Sequence, residues 1–367
     1  MPGSKRTQTV AATLTVLATV AGLATRPAAS QANGVKYIVE TVKSKVNTPW
    51  TLRFAPDGTL YYTSRDAATL FALNVKSGEV TEFSGVPAVR VQGEAGLLGL
   101  ALNPAFSDNH RVYMCYSYWN GSTPNNRLSR FTLSGTKLGG ELKLIDALPG
   151  WSNHNGCRVV VAPDHTHLFA SMGDAAHTDN AQDIKKLGGK TFRINLNGGI
   201  PADNPFPGSP VWSFGHRNPQ GLAFQPGSGW LWSTEHGPDT NDEVNIIEKG
   251  MNYGWPLCLG THPCPDLKNY RPAIASFYED RTVAPCGATF YTGKAFPAWK
   301  GDFFFVTLKT GRLYRLEPSG RSIKNTEILL DNPYGRLRDV TTGPDGFLYF
   351  STDNGADSTI YRLRPKP

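Results

Sequence analysis

A chain of 367 residues with 40% hydrophobic residues, 38 Gly, 27 Pro and a formal charge of +7 has a globular composition. The Gly and Pro load calls for many short turns and so for many short strands, and all-β propellers and barrels of this size fold as one unit. The basic residues are scattered, without a Lys/Arg run or an aromatic-interleaved basic stripe, so the footprint of a nucleic-acid-binding protein is missing.

The chain begins with Lys5 and Arg6, an apolar run diluted by Thr over residues 10–23, and small residues over 28–32. This order predicts a secretory signal peptide over 1–32 and export to the periplasm or beyond, with 33–367 as a single domain. Its removal takes Lys5, Arg6 and Arg26 and no acid, lowering the formal charge from +7 to +4. No later segment approaches the roughly 18 continuous apolar residues of a spanning helix, so no membrane span is expected.

Downstream, one pattern recurs six times: an apolar strand, a turn with Pro or Pro-Asp-Gly, and an apolar-aromatic strand ending in Ser/Thr and a carboxylate or amide. The copies are LRFAPDGTLYYTSRD from Leu52, LALNPAFSDNHRVYMCYS from Leu100 and VVVAPDHTHLFASMGD from Val159. They continue with LAFQPGSGWLWSTEHG from Leu222, FYTGKAFPAWKGDFFFVTLKTG from Phe290 and VTTGPDGFLYFSTDNG from Val340. Spacings of about 45 to 70 residues suit four-stranded antiparallel blades with variable loops, so a six-bladed all-β propeller is expected in preference to a two-sheet sandwich. Helical composition is confined to short stretches such as 180–187.

A propeller gathers blade-end loops around one axis, so the polar residues at those ends are read together. They are Glu94, His154, Asp174, Arg217, Asn218, Lys309, Arg336 and Arg338. Four cations with few acids beside them in sequence would repel one another around a cavity unless an anion with several carboxylates or phosphates is bound there. His154, in the loop sequence WSNHNGCR, suits a general base, and Asp174 suits its orienting carboxylate. His216 and His236 compete for the base role. The run HGPDTNDEVN offers carbonyl and carboxylate oxygens, hard ligands suited to Ca²⁺.

The five cysteines are Cys115, Cys157, Cys258, Cys264 and Cys286. Cys258 and Cys264 suit a local disulfide, Cys157 and Cys286 could pair if the fold joins them, and one thiol must stay unpaired within the chain.

The motifs GLLGLALNPAF, NHNGCR with MGDA, FGHRNPQGLAF, EHGPDTNDEVN with NYGWP, GATFYTG, LKTGRLYRL and RLRDV follow in the order found in the soluble quinoprotein glucose/sorbosone dehydrogenases. The chain resembles this family, which includes the aldose sugar dehydrogenases, over residues 48–364. The resemblance implies a six-bladed propeller that binds pyrroloquinoline quinone (PQQ) and Ca²⁺ and oxidises aldose sugars at C1 to the lactone. His154 would take the proton as hydride passes to the quinone, with Asp174 as its partner. Glu94, Arg217, Asn218, Lys309 with Thr310, Arg336 and Arg338 match quinone-site positions, and Arg217 or Lys309 would stabilise charge developing on the quinone. Gly237 and Pro238 match carbonyl donors to a catalytic calcium, and Glu243 and the Tyr253 carbonyl match a second calcium site. His216 and His236 become supports. Electrons would leave to an external acceptor, a quinone or soluble carrier, from a monomer or homodimer. The sequence departs from the family pattern at Glu94, where Gln is common, and at Cys157 and Cys286, for which a mutual disulfide at one mouth is expected. A calcium-dependent lactonase-type hydrolase and a non-catalytic sugar- or protein-binding propeller are the alternative functions.

Overall fold

The computed structural model describes residues 3, 29–32, 34–277 and 282–367. The rest of the expected signal peptide, 1–32, lies outside the described residues. The expected propeller is observed, with six sheets in sequence around an axis. From axis to rim, blade 1 is Pro49–Phe54, Thr59–Ser64, Thr69–Asn74 and Val80–Phe83. Blade 2 is Leu97–Leu102, Arg111–Asn120, Thr123–Ser134 and Lys137–Pro149. Blade 3 is Val159–Val161, His167–Met172, Lys190–Asn195 and Val211–Phe214. Blade 4 is Pro219–Phe224, Leu231–Glu235, Asp242–Ile247 and Ala275–Phe277. Blade 5 is Pro285–Phe290, Phe303–Thr307, Arg312–Ser319 and Ser322–Asp331.

Blade 6 combines both ends of the chain. Leu337–Thr342, Leu348–Thr352 and Thr359–Pro365 are completed by Val35–Ser44, with Ala29–Ala32 paired outside it. The register sets Val39 opposite Leu363 and Glu40 opposite Arg362, and Glu40 bonds both Arg362 and Arg364. Each innermost strand packs against the next, and that of blade 6 against that of blade 1, so the ring closes.

The six sequence repeats correspond to the first two strands of the blades. Their second strands are buried along their whole length in blades 4, 5 and 6, because large side chains from adjoining blades cover both faces. Between blades 4 and 5, Trp232, Val244 and Ile246 meet Phe290, Phe303, Phe305 and Tyr314. Helix content is slight, and the helix-like stretch at 180–187 contributes only Asp179–Gln182.

Because every blade starts at the axis, the loops entering innermost strands and those leaving second strands share one mouth. Glu94, His154, Arg217, Asn218 and Arg336 precede innermost strands, whereas Asp174, His236 and Lys309 follow second strands. The opposite ends of the innermost strands line a cavity of about 440 Å³ that includes Phe54, Leu102, Val161, Phe224 and Phe290.

One cysteine expectation is overturned. Cys157 bonds Cys115, not Cys286, which is a buried free thiol. Cys157 enters blade 3 beside the second strand of blade 2, while Cys286 lies in the innermost strand of blade 5. Cys258 and Cys264 form the expected local disulfide.

Candidate active site at one mouth of the propeller

The loop that carries His154 is held in an uncommon backbone conformation. His154, Gly156 and Cys157 have φ of 54°, 53° and 71°, and Ala175 and Ala176 across from them have 56° and 58°. Left-handed backbone is unfavourable for residues with a side chain, and it persists only where surroundings over-determine it. Here they do. Asn155 bonds both ways with Trp151, the Gly156 N–H donates to Asn218 Oδ1 at 3.0 Å, and the Cys157 N–H donates to Ser171 O at 2.8 Å. Gly173 is required opposite, since a Cβ there would lie 2.0 Å from His154 O.

In this loop the His154 Nδ1–H donates to Asp174 Oδ1 at 2.7 Å. Asp174 is fully buried, and its carboxylate also accepts the Ala176 N–H on Oδ1 and the Trp255 indole N–H on Oδ2, both at 2.8 Å. The bond to Asp174 selects the tautomer with a bare Nε2, and among the described residues that nitrogen makes no hydrogen bond. An imidazole so oriented accepts a proton from a bound hydroxyl. Glu94 makes no ion pair among the described residues; its Oε2 accepts the His154 backbone N–H at 2.9 Å.

The cations divide into two kinds. Arg217 makes no ion pair among the described residues; it lies 5.3 Å from the centre of the Trp255 ring, reaches His236 O at 3.4 Å, and leaves its buried Nε without a partner. Burial pulls its guanidinium below the usual value, against the charges of Asp174, Glu235, Asp242 and Glu94. Beside it, fully buried Asn218 has an unpartnered Nδ2. Lys309 is exposed at the mouth and Arg336 is half-exposed, 3.8 Å from Asp353.

Arg338 departs from the sequence reading of cations with few acids nearby. It is 3% exposed, pairs with Asp353 through Nε and Nη2, and donates Nη1 to Gln220 Oε1 at 2.8 Å. Burial opposes ionisation of Asp353, but Arg338 and Arg65 hold its carboxyl down to about 2. Thr310 is buried, with its hydroxyl 2.8 Å from that of Thr307.

Blade 4 supplies the oxygen cluster. Glu235 and Glu243 sit directly opposite each other, both buried. Glu235 accepts from His216 Nδ1 at 2.8 Å and from the Arg217 N–H, and Glu243 accepts from the Gly260 N–H at 2.6 Å and Asn245 Nδ2 at 3.1 Å. Burial and the facing Glu235 push the Glu243 carboxyl up to about 8. Asn245 Oδ1 is buried without a partner, as befits oxygens gathered for a cation. The Gly237 N–H donates to Asp242 Oδ1 at 2.8 Å, fixing the turn that holds Gly237 and Pro238. Tyr253 stacks on His216 at 4.6 Å. Among the described residues no group of three or more His, Cys, Asp or Glu could hold a metal, so any calcium here needs carbonyl oxygens as well.

His216 is buried and bonded through both ring nitrogens, to Ser213 and Glu235. His236 is buried, and burial followed by Arg217 and Arg338 keeps its imidazole well below the usual value. Sequence reasoning missed Trp255, Gln220, Arg158, Asp339 and Asp353. Arg158 and Asp339 lie in apolar-looking innermost strands or their approaches, and a charged residue in such a run was the signal available.

Comparison with known proteins gives the family of the chain. The glucose/sorbosone dehydrogenase family profile matches residues 46–362. The aldose sugar dehydrogenase YliI of Escherichia coli is 34% identical over 344 residues, 88% of this chain and 91% of that protein. Quinoprotein glucose dehydrogenase B of Acinetobacter calcoaceticus is 28% identical over 421 residues, 89% of this chain and 88% of that protein. The solved PQQ-bound form of aldose sugar dehydrogenase from Streptomyces coelicolor superposes with a TM-score of 0.79 at 35% identity, covering 90% of this chain and 99% of that one. With the propeller, the His–Asp pair at its mouth and a match over nearly all of its described length, the chain belongs to the glucose/sorbosone dehydrogenase family of oxidoreductases.

Proposed function

We propose that the protein is a PQQ-dependent dehydrogenase that oxidises the C1 hydroxyl of an aldose to the lactone and delivers the electrons to an external acceptor. The observation that carries this reading is His154, oriented by buried Asp174, beside Arg217, a largely buried cation that makes no ion pair among the described residues and whose Nε has no partner.

His154 Nε2 takes the C1 hydroxyl proton, and Asp174 stabilises the imidazolium that results. When bound, the quinone supplies the two-electron acceptor for the hydride leaving C1. The unpartnered Arg217 Nε and Asn218 Nδ2 suit a polycarboxylate, with Lys309 and Arg336 available from the rim. Arg338 acts through Asp353 and Gln220 as part of the floor. Calcium, bound through the carbonyls of Gly237 and Pro238, would supply a Lewis acid. A second ion suits Glu243 and the Tyr253 carbonyl, supported by the paired carboxylates and the unpartnered Asn245 Oδ1. Two disulfides support export to an oxidising compartment.

The test is reconstitution of purified protein with PQQ and Ca²⁺, followed by dye reduction with a panel of aldoses. Activity is expected, and His154→Gln should lower kcat by about 10²- to 10⁴-fold while quinone absorbance on binding is unchanged. Binding of the quinone without dye reduction by any aldose would overturn the reading, and turnover of a lactone instead would favour the hydrolase.

A further inference from the structure

We propose that Trp255 is a positioning residue for this reaction: its indole N–H orients the Asp174 carboxylate that holds His154, and its ring supports the Arg217 guanidinium. The inference rests on the functional reading above.

The indole is delivered by a fixed backbone. The Trp255 N–H donates to Gly215 O at 2.9 Å and the Tyr253 N–H to Phe214 O at 2.9 Å, while Gln182 Nε2 donates to Trp255 O at 2.7 Å. Gly215 has φ of 77°, and a Cβ there would lie 2.1 Å from Asn252 Oδ1, so the two segments meet only because glycine stands there. From this anchor one side chain reaches both halves of the site. Nε1 is 2.8 Å from Asp174 Oδ2, and the ring centre is 5.3 Å from the Arg217 guanidinium carbon.

The two carboxylate oxygens of Asp174 are not equivalent. Oδ1 accepts from His154 and Ala176, whereas Oδ2 has the indole as its only donor among the described residues. A donor on Oδ2 fixes the carboxylate plane and draws negative charge away from Oδ1. Without it, Oδ1 favours the protonated imidazole more strongly, and the base needs a higher pH to be free. The charged and titratable groups around His154 are Asp174, Glu94 at its backbone N–H, and Arg217 and His236 across the mouth; all four stay in place in sequence when Trp255 is changed, and of them Trp255 touches only Asp174 and Arg217.

The experiment uses the PQQ- and calcium-loaded enzyme. Trp255→Phe keeps an aromatic face for Arg217 and removes the donor; the acid limb of kcat/KM should move up by about half to one pH unit, with quinone affinity within about twofold of wild type. Trp255→Leu removes the face as well, and absorbance titration of the apo protein should show quinone binding weakened by about fivefold or more. An unnatural benzothienylalanine at 255 replaces the N–H by sulfur at nearly constant shape and should repeat the Phe result if the Phe variant folds poorly. Ring-proton NMR of His154 in the apo protein, assigned with His154→Gln, should move in the same direction as the rate profile. That readout needs no turnover, so an inactive wild type would sink the functional reading while Trp255 remains tested. A wild-type pH profile and His154 titration in the donor-free variants, or undiminished quinone binding in Trp255→Leu, would overturn the proposal.

Discussion

At the scale of single residues, the site is controlled by which polar groups are left without partners. Arg338 and Arg217 are both arginines near one mouth, but Arg338 is ion-paired with Asp353, whereas Arg217 makes no ion pair among the described residues and feels carboxylates such as Asp174 and Glu235 only at longer range. Glu243 shows the same logic with the opposite charge. Its carboxyl is raised from an ordinary value of 4.5 to about 8 by burial and the facing Glu235. A raised carboxyl favours the protonated folded form, so its contribution is fully present below pH 4.5 and is lost as pH rises through about 8. In chelator, the melting temperature should therefore fall on the order of 5 °C between pH 5 and 9. Calcium, which binds the ionised form, should restore more at pH 9 than at pH 6. Glu243→Gln should flatten both dependences in differential scanning calorimetry, and a variant that keeps the calcium increment would remove Glu243 from the ion site.

At the scale of elements, the innermost strands are tied by a buried polar network across the channel. Asp339, in the innermost strand of blade 6, accepts the Leu52 N–H of blade 1 at 2.7 Å and sits 3.2 Å from Arg158 Nη1 at the entry to blade 3. Arg158 also donates Nε to Gln220 O of blade 4 at 2.7 Å and lies over the Trp50 ring of blade 1 at 4.3 Å. Burial lowers the Arg158 guanidinium to about 10 despite Asp339, which marks how much this cation depends on its partners. Asp339→Ala leaves it buried and uncompensated and should cost about 3–5 kcal/mol of stability, read as a lower urea midpoint at unchanged slope. A loss below about 1 kcal/mol would show that the network relaxes around the gap.

At the scale of the whole molecule, Val35–Ser44 closes the ring by completing the blade begun near the other end of the chain. A chain starting at Gly34 should keep its melting temperature within about 2 °C, whereas one starting at Lys45 should aggregate, because Thr359–Pro365 becomes an open edge and Arg362 and Arg364 lose Glu40. Light scattering and calorimetry of the two truncations decide it. What the sequence by itself determined is the repeating unit: alternation along strands and Pro-Asp-Gly turns are local signals, so six strand–turn–strand copies could be counted and a propeller inferred. Its motifs also pointed to His154 and Asp174, which the fold joins although 20 residues separate them. What only the tertiary structure decided is pairing between blades. Cys157 meets Cys115 and not Cys286, Arg338 of blade 6 donates to Gln220 of blade 4, and Trp255 reaches Asp174 across 81 residues. Such contacts depend on the angular order of blades and the direction in which each loop leaves its strand, and neither quantity is written in the local pattern of any one repeat.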